Sequence, residues 1–451
     1  MTQLDRLLRL FETHGDVKLG LLMAALTIFG AVITNAPWKP VLVVGLAVTA
    51  AAVFWLHQPW NPARTISVGS FPVSLALAPP TADRDQSLWV ADQGTPSRKG
   101  AVFEIDTVTG AIRRSENVGS RPRAIAADDL GTVWIATCTT TGTTCEAALS
   151  SINPETGDIS MKGDIGRQGR PVGLLAANGA VWVGNAGSGQ LFVGSQGGKR
   201  PPEAIGAPRL KPRAEAADLT ADGSQLIAKM SPSDLATAQG SVFAVGGGSR
   251  YENSYVYWIE RLPPARGATQ EKLGSITYRR SDEKYCVPKS AHHSMVGGLG
   301  GLWITNKDRN TVTYISLMSD FSTTRRVTIP IDQRPHAIAS GPDGVWVVSN
   351  RPSDPDQGLL THITLRAKSG DSAIVHVGSI ELEGNPTDVA YDLATDRVWV
   401  SAFDGIDSSP EGKLMWIDAS EVPAEKDAEV QVDSAIPDVW KAKPGQSYCL
   451  H

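Results

Sequence analysis

Between about residues 65 and 420 the chain is written in short apolar runs. They are rich in Val, Ile, Ala and Trp and are broken by Gly, Pro, Asp and Asn. That rhythm is the signature of strands joined by tight turns, not of amphipathic helices. One cassette recurs within it, and its clearest copy is RPHAIASGPDGVWVVSN, residues 334–350. A proline-led strand, a turn and a tryptophan-bearing strand follow one another. The tryptophan strands are SLWVAD, TVWIAT, AVWVGN, GLWITN, GVWVVS and RVWVSA, around Trp89, Trp134, Trp182, Trp303, Trp346 and Trp399. SVFAVG places Phe243 in the same role, and successive members lie 43 to 61 residues apart. A third strand and an outer fourth strand complete each unit. Four strands per unit at a period above about 40 residues predict an all-β fold, a β-propeller of seven blades. The last unit lacks an outer strand, and TISVG (65–69) precedes the first. The N-terminal strand is therefore expected to close the last blade and remove an exposed edge.

Two uncharged apolar runs precede the repeats, residues 19–34 and 41–56. With Trp38, Trp55 and Trp60 extending them into an interface, they predict a transmembrane helical hairpin over residues 19–57. Residues 1–18 have helical apolar spacing and predict a short amphipathic helix. The repeats then span 65–420, and a C-terminal tail over 421–451 packs on or near the propeller. Arg6, Arg9, Lys18 and Arg64 flank the outer ends of the hairpin, against Lys39 alone in its turn. By the positive-inside rule that excess favours a cytoplasmic propeller. The cysteines favour the other side. Cys138, Cys145, Cys286 and Cys449 form an even set placed in loops and tail, as candidates for disulfides in an oxidising compartment. The balance expected is a membrane protein of inner or plasma membrane type with an extracytoplasmic propeller.

Composition removes some classes of function. With 42 Lys and Arg against 47 Asp and Glu, the net charge of −5 leaves no basic stripe for nucleic acid. There is no C-x-x-C, P-loop, H-E-x-x-H or G-x-S-x-G, and VGGLGG (296–301) reads as a turn between strands. What remains is the loop-rich end of the ring. The position after each blade proline, or after its His292 counterpart, holds Val73, Arg123, Val172, Ser233, His293, His336 and Thr387, and the next holds Asp234 and Asp388 in two blades. His293 and His336, with Asp388 a blade further on, are the candidate catalytic groups. They would act as general acid and base, or share a divalent metal, Mg or Ca, with a carboxylate. Binding candidates on the same end are Arg123, Asp234, Arg250, Tyr251, Asn306, Asn350 and Arg351, because loops on a rigid scaffold carry recognition. Arg121, Arg123, Arg170 and Arg334 would either ring an anion or pair with Asp128, Asp129 and Asp343.

The cassette RPHAIASGPDGVWVVSN resembles the repeat of the virginiamycin B lyase (streptogramin lyase) family, and is similar to the wider NHL/YVTN-like group. The resemblance covers residues 65–420. It implies a seven-bladed propeller whose channel-mouth histidines work with acidic residues that hold magnesium. Asn350 and Arg334 stand where that chemistry wants carboxylates. The expected function is therefore a membrane-anchored propeller that binds a protein partner or ligand through its channel-mouth face. The alternatives are a lyase- or hydrolase-like enzyme and a structural subunit of a membrane complex.

Overall fold

The computed structural model describes residues 63–431, apart from several short loops and the stretches 196–202, 206–230, 248–252, 262–275, 280–285, 289–293 and 318–325. The chain divides into two units, Met1–Asn61 and Pro62–His451, and every described residue belongs to the second. The hairpin over 19–57, the helix over 1–18, Arg250, Tyr251, His293 and Cys449 lie outside the described residues. No helix among those residues is long and apolar enough to cross a membrane.

The strands form seven antiparallel sheets. Their innermost strands are Pro72–Ala78, Arg121–Ala127, Pro171–Ala177, Ser231–Ala238, Met295–Gly298, Arg334–Ser340 and Asn385–Asp392. Each of these touches the next, and the last touches the first, so the sheets close into a cycle. The fold is a β-propeller, and the sheets are numbered below in that order. Six blades, not seven, are built from strands consecutive in the chain. The seventh sheet is composite: Arg64–Ser67 pairs with Glu411–Asp418, in register Arg64 opposite Trp416 and Ser67 opposite Lys413. Sheet 6 carries a fifth strand, Lys426–Gln431, laid against Ser372–Glu383. The start of the expected tail is thus part of a blade.

The tryptophans explain why the sheets stack. All six, and Phe243, are essentially fully buried. Five of the tryptophans, and Phe243, pack from their own blade against the next. Trp89 packs with Ile125, Val133 and Ile135 of sheet 2, Trp134 with Val181, Val183 and Phe192 of sheet 3, and Trp303 with Ile338, Val345 and Val347 of sheet 6. Trp399 carries the same contact across the closure, against Leu75, Leu88 and Val90 of sheet 1. An aromatic of this size buries roughly 150–250 Å², so each inter-blade wedge contributes about 4–6 kcal/mol of hydrophobic free energy.

The prolines do a different job. In six of the seven inner strands the ladder slips by one residue just after the proline, between Pro72 and Ser74, Pro122 and Ala124, Pro171 and Gly173, Pro232 and Asp234, Pro335 and Ala337, and Pro386 and Asp388. A bulge of this kind leaves the extra residue out of the pairing and re-aims its side chain. Sheet 5 has no proline there, and its inner strand is squeezed instead. A Cβ on Gly297 would fall inside the Thr237 carbonyl of sheet 4, and one on Gly298 would meet the Ser340 hydroxyl of sheet 6. The VGGLGG segment is therefore half strand, with the turn confined to Leu299 and Gly300, both at positive φ.

Candidate functional site

Six equivalent bulges place six side chains at one end of the inner ring: Val73, Arg123, Val172, Ser233, His336 and Thr387. They alternate with the polar ends of the tryptophan strands, because each proline faces the third residue after a tryptophan or its Phe243 counterpart. Asp92, Thr137, Asn185, Asn306 and Ser349 occupy that position, and all are buried. Proline offers no N–H to the ladder. The residues before it find an acceptor in these side chains. Asp92 Oδ1 accepts from the N–H of Ser70 and Phe71, and Asn185 Oδ1 accepts from Arg170 N–H at 2.9 Å and Gly187 N–H.

Several expected site residues turn out to be fastenings of this kind. Asn306 is fully buried and donates through Nδ2 to Thr311 and Thr313 Oγ1, at 3.1 and 2.9 Å. Expected on the binding face, it stands with its side chain enclosed. Asn350 donates to Asn385 Oδ1 of the neighbouring sheet. Arg351 is anchored to Gln357 Oε1 at 2.6 Å and Glu381 Oε1 at 2.9 Å.

Asp234 and Asp388, expected as a binding and a catalytic group, are fastened in the same way. Each residue as a whole is half-buried, but the carboxylate is its enclosed part. Asp388 Oδ1 accepts from Val389 N–H, and Oδ2 from Leu75 N–H of sheet 1 at 2.8 Å. Asp234 repeats the arrangement one-for-one, accepting from Leu235 N–H and, across to sheet 5, from Met295 N–H at 2.8 Å and Ser294 Oγ at 3.0 Å. In sheet 1, Ser74 Oγ accepts from Ile125 N–H of sheet 2 from the same position. These groups clamp one blade to the next. Thr387 adds a further tie across the closure, donating to the Pro72 carbonyl at 2.7 Å. Burial pushes Asp388 up to about 7, with the charge of Asp234 adding to it, and pushes Asp234 up to about 6.

Of the catalytic candidates, His336 is described. It is half-buried, with Nδ1 3.3 Å from Lys307 Nζ. Lys307 follows the tryptophan strand of sheet 5, and its pKa is lowered by burial and by the Arg334 charge, against the pull of Asp308. Asp388 is committed to backbone and does not form a dyad with His336. Lys307 was not singled out from the sequence. The loop TNKDRN that carries it was visible, but its reach to the next blade's proline strand was not. Among the described residues no three His, Cys, Asp or Glu side chains group as metal ligands.

Among the described residues no ion pair joins the arginines of sheets 2 and 3 to the acids expected for them. Asp128 caps its own turn, accepting from Leu130, Thr132 and Trp134 Nε1, and Asp343 faces His362 Nε2 at 3.4 Å. Cys138 and Cys145 are joined as a disulfide, closing the hairpin between Val133–Thr141 and Thr144–Ile152. Cys138 stands directly opposite Arg121 in the ladder.

No family model matches this chain, and no curated protein does. Among solved structures it is similar to hydrazine synthase of Kuenenia stuttgartiensis, at 12% identity and a TM-score of 0.48, covering 75% of this chain and 94% of that one. It is also similar to the Cps50 (Swd1) β-propeller domain of Myceliophteria thermophila, at 8% identity, a TM-score of 0.44, and 78% and 98% coverage. A chain of a mitotic checkpoint complex gives 9% identity and a TM-score of 0.48, over 79% of this chain and 94% of that one.

Proposed function

We infer that this protein is a membrane-anchored, seven-bladed β-propeller that binds a partner or ligand through the bulge-bearing end of its ring. One observation supports this above the others. The bulge repeats in six sheets while the residue it presents varies, Val in two of them and Arg123, Ser233, His336 and Thr387 in the others, whereas the acids beside it are spent on clamping blades. A constant scaffold with a variable display is the arrangement of a recognition surface. Anchoring rests on the apolar runs at 19–34 and 41–56, and an extracytoplasmic ring on the Cys138–Cys145 disulfide, since such bonds persist in oxidising compartments. The test is chemical cross-linking of the detergent-extracted full chain beside His336→Ala and Ser233→Ala. Cross-linked species lost in the variants support the reading. An identical set from all three sinks it.

A second reading, a lyase- or hydrolase-like enzyme, draws on His336 with Lys307 against its ring nitrogen. With Nδ1 facing the Lys307 ammonium, the ring would present Nε2–H outward as a hydrogen-bond donor. With His293 it would be the channel-mouth pair of the resembled family, and Mg or Ca would be its metal. Metal analysis of the purified chain with and without His336→Ala separates the readings: stoichiometric metal lost in the variant favours the enzyme.

A further inference from the structure

Three guanidinium groups gather where the inner strands of sheets 2 and 3 begin. Arg121 and Arg123 straddle Pro122, and Arg170 precedes Pro171. Arg123 is the bulge residue, so its side chain is the one re-aimed out of the ladder. It is half-buried, and its Nε is shut away from solvent without an acceptor. Among the described residues no hydrogen bond or ion pair ends on the guanidinium of any of the three. Seven residues of the adjoining loops, 120, 142, 143, 168, 169, 188 and 189, lie outside the described set, and by sequence none is charged; the Arg167 side chain, a further cation, lies outside it too. The like charges act on one another: burial first, then Arg170 and Arg121, push the Arg123 pKa down. One flank is rigid, because the Cys138–Cys145 disulfide ties the hairpin that rises opposite Arg121.

A solitary exposed arginine needs no explanation. Three within reach of one another, one of them with a buried and unsatisfied donor, are a standing cost. Arginine is the cation that best matches a planar or tetrahedral oxyanion, through paired N–H donors. In sheet 4 the carboxylate beside the bulge, Asp234, has both oxygens taken by the N–H groups of Leu235 and Met295 and by Ser294.

We propose that Arg123, flanked by Arg121 and Arg170, forms a binding site for the phosphate or carboxylate group of a small anionic ligand. This deepens the recognition reading by naming the chemistry of what is recognised, and it rests on that reading. The site lies on the bulge-bearing end and uses no group of the His336–Lys307 pair.

The experiment titrates the purified full chain with inorganic phosphate and, separately, with succinate, following thermal denaturation at ionic strength held constant with sodium chloride. Wild type is expected to show a saturable rise in Tm with one or both anions. Phosphate alone or succinate alone identifies which group the site prefers. Arg123→Gln should weaken the apparent affinity roughly tenfold or more, by loss of a charge-assisted pair of bonds. Arg170→Gln, an exposed position that folding does not depend on, supplies a second readout. In low salt without anion it should raise Tm, by relief of repulsion, and with anion it should gain less than wild type. Opposite signs of that kind are not produced by a merely structural arginine. The proposal fails if neither anion shifts Tm beyond the sodium chloride control, or if both variants respond as wild type does. Such a failure leaves the cross-linking test of the recognition face standing or falling by itself.

Discussion

Asp388 fastens the closing seam of the ring, and its ionisation should be measurable as stability. Its folded-state pKa is about 7, against an ordinary 3.8, because burial disfavours the charged form more than the bonds from Leu75 and Val389 favour it. The value is raised on folding, so folding favours the neutral acid. The stabilising contribution is complete below about pH 4 and is lost as pH rises through about 7. At about 1.4 kcal/mol per unit, the full swing is about 4 kcal/mol, of which about 3 falls between pH 5 and 8. Asp388→Asn cannot ionise. Its amide offers one oxygen in place of two, so one backbone N–H faces an NH2, at a cost of about 1–3 kcal/mol at every pH. Urea unfolding of both proteins across pH 5 to 8 should give curves that converge or cross: the variant weaker than wild type near pH 5, and level with it or stronger near pH 8. A wild-type-minus-variant difference that stays flat over that range would refute the account of Asp388 as a buried acid.

Other outcomes follow from the same structure. Trp399→Ala, at the wedge between sheets 7 and 1, should cost about 3–5 kcal/mol in chemical denaturation, as deletion of a buried aromatic does elsewhere. Replacing Cys138 and Cys145 together by Ser frees a short loop and should lower stability by roughly 2–3 kcal/mol, with wild type falling to the same level in reductant. Gly297→Ala should impair folding outright, because the added carbon overlaps the Thr237 carbonyl; soluble yield and circular dichroism read this directly. Ile66→Pro removes an N–H from the closing strand and should expose the edge of Glu411–Asp418, seen as self-association in size-exclusion chromatography.

The repeat was legible in the sequence because two features of it are local. A proline that starts a strand and a tryptophan that wedges the next blade leave their marks in every cassette, and all seven aromatic positions proved buried. The composite closure was legible too, from a surplus strand at one end and a missing one at the other. The chemistry was not. Asp234 and Asp388 read as site acids because polar residues beside a channel suggest function. Their actual partners are backbone N–H groups some 61 and 313 residues away, a relation no spacing rule encodes. Asn306 follows the same pattern: its neighbours Thr311 and Thr313 fold back to accept from its Nδ2. A signal was available in sheets 1 and 3, where the residues before the proline bond to the polar residue three after the tryptophan, Asp92 and Asn185. The arginines of sheets 2 and 3 were visible as recurrent charges, but whether acids neutralised them depended on Asp128 being spent on its own turn.

The composite seventh sheet also decides where load enters the ring. Arg64–Ser67 is continuous with the chain before it, so tension on that chain arrives first at a ladder four residues long. Behind it stand the Trp399 wedge and the two inner ties, Asp388 to Leu75 and Thr387 to Pro72. The seam is thus a graded latch. The outer strand peels first, and the ring stays shut as long as one titratable carboxyl, one hydroxyl and one indole hold the inside.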